Sequence, residues 1–208
     1  MGKLVIVDHP LVQSKIRRIR DKETSNKEFR ELVSELASLI IYEATRDLPL
    51  RDVEVETPHE KTIGKEVACK VVFVPILRTG INMADGALGL IPTAKAGHIG
   101  IYRDPDTLQP IEYYCKLPKE ESNLRVFILD PVIATGGTDT QAINFLKERN
   151  IDNITLITLI SSPEAIKKIQ GEHKVVDIYT AALDPYVNEE GYVIPGVGDV
   201  GFRLFGTK

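Results

Sequence analysis

Four short apolar runs, with helical patterns between or after them, restrict this chain more than any other feature. They are Val71-Val72-Phe73-Val74, Val126-Phe127-Ile128-Leu129, Ile154 to Ile160, and Val175-Val176-Asp177-Ile178-Tyr179. Each is rich in β-branched or aromatic residues and nearly free of polar ones, which predicts strands buried on both faces. Such strands alternating with helices predict an α/β fold, a parallel β-sheet flanked by helices. In a sheet of that kind ligands bind outside the carboxyl ends of the strands. The residues just past Leu129 and Val74 are therefore where chemistry is expected.

The helices carry their own marks. Thr24 or Ser25 is the expected N-cap of a long helix in which Phe29, Leu32, Val33, Leu36 and Ile40 recur at helical spacing, running to about Thr45. Ser162, Pro163 and Glu164 supply an N-cap, a first-position proline and a first-turn acid. Lys15-Ile16-Arg17-Arg18-Ile19-Arg20 spaces its apolar residues three apart, predicting an amphipathic helix with a solvated basic face. Residues 99–117 differ: two β-rich stretches flank Asp104-Pro105-Asp106-Thr107-Leu108-Gln109-Pro110, which predicts a projecting hairpin or flexible arm. After Glu189 come Gly191, Pro195, Gly196, Gly198, Gly201 and Gly206, so residues 189–208 should be mostly loop. That tail is too short to fold alone. It is expected to lie against the rest of a single domain, 1–208.

Between the Val126 run and a helical pattern from Thr140 to Glu148 stands Asp130-Pro131-Val132-Ile133-Ala134-Thr135-Gly136-Gly137-Thr138. Strand, glycine-bearing loop and helix is a geometry that seats a phosphate. Backbone N–H groups converge on the anion, and the helix N-terminus adds partial positive charge. Gly136 and Gly137 allow close backbone approach, Thr135 and Thr138 add hydroxyl donors, and Asp130 offers a carboxylate to the same crevice. Phosphate donors with one carboxylate suit a phosphorylated sugar. The loop lacks the Gly-Lys-Ser/Thr ending of a P-loop and the spacing of a dinucleotide fingerprint. A second loop, Pro75-Ile76-Leu77-Arg78-Thr79-Gly80, follows the Val71 run, and Arg78 there could meet a phosphate through paired hydrogen bonds.

The chain as a whole narrows the class further. A net charge of −4 and no basic stripe argue against nucleic acid as a partner. No apolar run approaches the roughly 18 residues of a membrane span, and Lys3 to Asp8 are too soon charged for a signal peptide, so a cytoplasmic location is expected. Cys69 and Cys115 read as free thiols. His9, His59, His98 and His173 show no metal-ligand spacing.

The nine residues from Asp130 to Thr138 resemble the phosphoribosyl-diphosphate (PRPP) signature of the type I phosphoribosyltransferases. Pro131, where most of that family has a second acid, is what the uracil phosphoribosyltransferases show. The Pro75 to Gly80 run is similar to their diphosphate loop, and Tyr102-Arg103-Asp104 to their arginine at the base of the arm. Gly191-Tyr192-Val193-Ile194-Pro195-Gly196-Val197-Gly198-Asp199-Val200-Gly201 resembles their uracil-binding segment, and Leu204-Phe205-Gly206-Thr207 continues it. His9-Pro10-Leu11-Val12, Phe29-Arg30-Glu31-Leu32 and Tyr42-Glu43-Ala44-Thr45 extend the likeness over nearly the whole chain. Phe202 departs, standing where the family usually has an acid before Arg203. The resemblance implies transfer of phosphoribose from PRPP to uracil, giving UMP and diphosphate. It implies Asp130, Arg78 and Arg103 as catalytic, and Arg78, Arg103, Asp130, Pro131, Val132, Ile133, Ala134, Thr135, Gly136, Gly137, Thr138 and Asp199 toward PRPP. Val193, Ile194, Gly198, Asp199 and Val200 fall to uracil. Mg²⁺ is implied as cofactor, bound mainly through substrate and water without a dedicated protein cage. A homodimer or larger homo-oligomer follows from the family, and GTP, which activates some members, is a candidate effector. The alternative is a non-catalytic PRPP-sensing pyrimidine regulator of the same fold.

Overall fold

The computed structural model describes residues 2–103, 110–118 and 123–207. Strand β1 (Leu4–Ile6) leads into helices α1 (Pro10–Arg20) and α2 (Asn26–Ala44). Strands β2 (Leu50–Glu56), β3 (Lys61–Val67) and β4 (Lys70–Leu77) precede α3 (Ile81–Leu90). Next come β5 (Lys95–Ala96), β6 (His98–Arg103), β7 (Pro110–Lys116), β8 (Leu124–Leu129), β9 (Val132–Ile133) and α4 (Gly137–Lys147). The remainder is β10 (Ile154–Ile157), β11 (Ile160–Ser161), α5 (Pro163–Glu172), β12 (Asp177–Thr180), β13 (Ala182–Leu183), β14 (Tyr186–Val187), β15 (Val193–Ile194) and α6 (Val200–Phe205).

The main sheet has the order β1-β12-β10-β8-β4-β6-β7, with β5 beside β4, and it is parallel except where β7 turns back along β6. Helices cover both faces, as the apolar runs predict. In β4, Val71 and Phe73 join the core under α1, α2, α3 and α6, while Val72, Val74 and Ile76 join the core under α4 and α5. In β8, Phe127 and Leu129 face the first core, and Val126 and Ile128 the second. Phe73 and Phe127 sit opposite each other in register with ring centroids 5.7 Å apart. Each such side chain contributes about 1.5–3 kcal/mol through burial.

The predicted helices form where their caps place them. Ser25 Oγ accepts the Glu28 N–H at the start of α2, which ends at Ala44. Ser162 caps α5, with Pro163 as its first residue. Two strands differ from expectation. The run from Ile154 to Ile160 breaks at Thr158-Leu159: β10 stays in the main sheet, and β11 joins a second parallel sheet, β13-β11-β9. Apolar composition cannot reveal that bend, because both halves are buried. The last strand begins at Asp177 rather than Val175, since Val175 lies in the turn after α5 and is 70% exposed.

The hairpin expected over 99–117 is present, but its strands are stitched to the edge of the main sheet through β6. Its tip, 104–109, lies outside the described residues. Two ribbons stand apart from the main sheet among the described residues, β14–β15 and the longer β2–β3. Exposed cross-strand pairs, Arg51–Glu66 at 2.6 Å and Lys61–Glu54 at 2.7 Å, lie along β2–β3.

Candidate active site

The crevice is built where β4 and β8 end side by side. Pro75 pairs with Leu129, so residues 78–80 and 130–138 emerge as neighbours at the carboxyl edge. Gly80 makes the closest approach: a Cβ there would lie 2.3 Å from the Leu129 carbonyl oxygen and 2.8 Å from the Ile76 nitrogen. Beside it the Thr79 side chain and the Val132 N–H face the Asp130 carboxyl group and favour its ionised form. The peptide between Leu77 and Arg78 is cis.

The Asp130 to Thr138 stretch is a short strand followed by a helix start, not one open loop. Pro131 and Ile133 are buried, and Val132 and Ile133 pair with β11 as β9. The Pro131 carbonyl already accepts from the Leu159 and Ile160 N–H groups and the Ile133 carbonyl from the Ser162 N–H, so these two carbonyls brace the loop. Thr135, Gly137 and Thr138 are half-buried and lie at the start of α4. Gly136 has φ +73°, and a Cβ on it would lie 3.1 Å from the Ala165 carbonyl oxygen of α5. The left-handed glycine is thus Gly136; Gly137 is the first helical residue. Ser162 does double service that its N-cap pattern does not announce. Its hydroxyl accepts the Ala165 N–H at 3.0 Å and donates to the Ala134 carbonyl at 2.5 Å. His173 Nε2 lies 3.1 Å from the Thr140 carbonyl, bracing the same helix start.

Arg78 is exposed beside this loop, with its guanidinium 5.4 Å from the Phe205 ring centroid. That contact brings the carboxyl-terminal tail to the crevice. Arg103 ends β6, three residues beyond the Leu77–Gly100 pair, so its backbone points to the same edge; its side chain lies outside what is described. In the tail, Asp199 caps α6, accepting the Phe202 N–H at 2.8 Å, with the Tyr192 hydroxyl at 3.4 Å. Tyr192, Gly198, Asp199 and Phe202 line a cavity of about 250 Å³. Val193 packs its side chain into the core, while Ile194 and Val200 are half-buried. Arg203, lacking an acid at position 202, donates instead to the carbonyls of Val197 at 3.0 Å and Asp21 at 2.8 Å, and stacks over Phe29 at 4.5 Å. A larger cavity, about 920 Å³, opens at the other end of β4 among Tyr42, Leu50, Val67, Lys70 and Lys95. None of the catalytic, PRPP-binding or uracil-binding residues expected from the sequence lines it. A phosphate bound by backbone donors at a helix start needs little enclosed volume.

The structure adds one acid that sequence reasoning passed over. Asp139, in the first turn of α4, is 2% exposed, and its Oδ1 has no hydrogen-bond partner among the described residues. Burial pushes its carboxyl group up to about 7. Burial, followed by the Asp139 charge, also holds Asp130 well above the usual carboxylate range. The two titrate as a pair. A carboxyl group raised in the folded state binds more protons folded than unfolded, so stability falls as pH climbs from about 4 to about 7. Asp139→Asn is expected to remove up to about 4 kcal/mol of that pH dependence, three units at about 1.4 kcal/mol each. Urea unfolding at pH 5 and pH 8 reads it directly, and parallel pH slopes for the two proteins would refute it.

Comparison with known proteins agrees with this geometry. The family model "Uracil phosphoribosyltransferase" matches residues 5–207. A uracil phosphoribosyltransferase from Bacillus cereus is 56% identical over 209 residues, covering 100% of each chain. A solved protein structure from Aquifex aeolicus superposes with a TM-score of 0.92 at 36% identity, covering 99% of each chain. A hypoxanthine phosphoribosyltransferase from Trypanosoma cruzi shares the fold alone, with a TM-score of 0.50 at 16% identity over 78% of this chain and 80% of its own. With a family model over residues 5–207 and a relative 56% identical along its whole length, the chain belongs to the uracil phosphoribosyltransferase family.

Proposed function

We propose the following division of labour for the family's reaction, in which uracil and PRPP give UMP and diphosphate. Three tasks must be met: holding the 5′-phosphate, neutralising the departing diphosphate, and placing the base nitrogen at ribose C1. Backbone groups from Ala134 to Thr138 at the start of α4 take the first, together with the Thr135 and Thr138 hydroxyls. Arg78 and Arg103 take the second. The tail takes the third, with uracil matched by Val193, Ile194, Gly198, Asp199 and Val200, largely through peptide groups. Uracil's alternating C=O and N–H edge is complementary to such groups. Asp130 accepts from a ribose hydroxyl and favours the positive charge that develops as the C1–O bond breaks. Hydroxyl donors and that positive charge return its carboxyl group toward the ionised form. Positioning and electrostatics supply the rate, with no covalent nucleophile.

The observation that carries this reading is the pairing of Pro75 with Leu129, with Gly80 close against the Leu129 carbonyl, which sets the diphosphate loop beside the sugar-phosphate loop. Among the described residues no group of three His, Cys, Asp or Glu forms a metal cage. Mg²⁺ would be held mainly through substrate oxygens and water, with the Asp199 carboxylate turned toward PRPP. Bound there it would offset charge on the diphosphate. We place the enzyme in the cytoplasm, and no helix among the described residues is long and apolar enough to cross a membrane. We assign it a homodimer, in which the β2–β3 ribbon, exposing Leu50, Val55, Ile63 and Val67, is the surface to cover. GTP is the effector to test, by turnover with and without it.

Diphosphate release from PRPP with uracil, hypoxanthine, adenine and orotate in turn tests the reading. Release with uracil alone is expected, and no release with any base would leave the non-catalytic regulator. Arg78→Ala should weaken PRPP more than ribose 5-phosphate, by about 1.5–3 kcal/mol for a lost charged hydrogen bond. Calorimetry with both ligands checks this, and equal weakening would move Arg78 away from the diphosphate.

A further inference from the structure

Helix α1 ends in a residue that the tail depends on. Arg20 forms two parallel bonds to Asp184, NH2 to Oδ1 and NH1 to Oδ2, both 2.7 Å. Its NH1 also donates to the Gly196 carbonyl at 2.9 Å, and the Gly196 N–H donates to Asp184 Oδ2 at 2.8 Å. Arg20, Asp184 and Gly196 thus close a ring of hydrogen bonds. Asp184 is 4% exposed, and both of its oxygens are satisfied. Gly196 sits at φ +55°, where a Cβ would lie 2.0 Å from the Val193 carbonyl oxygen.

We infer that Arg20 and Asp184 are positioning residues for the nucleobase, acting through Gly196 to set the turn that presents Gly198 and Asp199 to the 250 Å³ cavity. The inference rests on the reading that residues 193–200 hold uracil. Its consequence is specific. Both peptide groups of Gly196 are occupied by the clamp, and the Val197 carbonyl is taken by Arg203. Neither residue has those groups free to read a base. Gly198, exposed at the cavity, has no backbone hydrogen bond among the described residues.

Holding the tail on the protein does not need this clamp. Val193, Val197 and Leu204 are buried in the main core, Arg30 donates to the Leu204 carbonyl at 2.7 Å, and Asn26 donates to the Phe202 carbonyl at 3.0 Å. Losing the ring should therefore loosen one turn and leave the rest seated. A bidentate pair fixes angle as well as distance, and lysine cannot reproduce it.

The experiment is Arg20→Lys, with Asp184→Asn as an independent second variant. Each is assayed for the uracil KM, PRPP affinity by calorimetry, and melting temperature. The expected result is a roughly 10- to 100-fold rise in uracil KM, the scale of a reacting group misplaced by about 1 Å, with PRPP affinity lowered far less, because Asp199 is the one tail residue assigned to PRPP. Combining the two substitutions should add little beyond either alone, since both break one ring. An unchanged uracil KM in either folded variant overturns the clamp, as does a loss of PRPP affinity parallel to that for uracil, which marks a merely structural pair. Absence of uracil transfer by the unmodified chain would instead sink the base-site reading on which the inference rests.

Discussion

Asp130→Asn is expected to fold normally and to lose about 10²–10³-fold in turnover, the scale of removing one preorganised electrostatic stabiliser. The substitution keeps the shape of the group and leaves an amide oxygen as acceptor where Thr79 and the Val132 N–H face it. What it removes is the negative charge facing ribose C1 as the glycosidic bond opens. It also removes the burial cost that holds the Asp130 carboxyl group above its usual range, so the variant should be no less stable than the parent. Steady-state turnover beside a melting curve separates the two effects. Near-normal turnover would take Asp130 out of the chemistry. A lowered melting temperature would show that its charge supports the fold instead.

Gly80→Ala should have the largest effect on stability. The constraint at Gly80 is not conformational, since its φ of −66° suits any residue. It is space: the new Cβ would lie 2.3 Å from the Leu129 carbonyl oxygen and within 2.9 Å of the Ile76 nitrogen and oxygen. All three are backbone atoms of β4 and β8, so no side chain can rotate away. The two central strands must part at their carboxyl ends, at a cost of about 3 kcal/mol or more. At about 2–4 °C per kcal/mol for a chain of this size, the melting temperature should fall by roughly 6–12 °C. PRPP affinity should fall with it, because parting the strands separates the loops that follow Leu77 and Leu129. An unchanged melting temperature would mean that the close approach is not maintained in solution.

The site was partly legible because some of its determinants are local. A phosphate-seating helix start needs a strand, a flexible residue and hydroxyls in a row, and Asp130 to Thr138 supplies them in nine residues. Asp139 was not legible: an acid in a first turn ordinarily favours the helix dipole from a solvated position. Only the packing of α4 against α5 and the sheet buries it and leaves its Oδ1 without a partner among the described residues. Arg20 misled in the opposite sense. Its spacing puts it on a basic, solvated face, and Arg17 and Arg18 are indeed exposed there. Arg20 turns inward because a carboxylate waits 164 residues away. Asp199 reads as a substrate acid from the family likeness, while its geometry shows an N-cap that also lines a cavity.

From its sequence alone, this protein determined the α/β layering, the two strand-end loops, the starts of α2 and α5, and the family. All of these rest on periodicity, caps and loop chemistry within a dozen or so residues. Tertiary structure decided the rest: the bend that parts β10 from β11, the contact of Gly80 with Leu129, the burial of Asp139, and the ring of Arg20, Asp184 and Gly196. Each of these depends on which distant backbone or side chain the sheet order sets alongside. A residue's partner across the sheet leaves no mark on its neighbours along the chain.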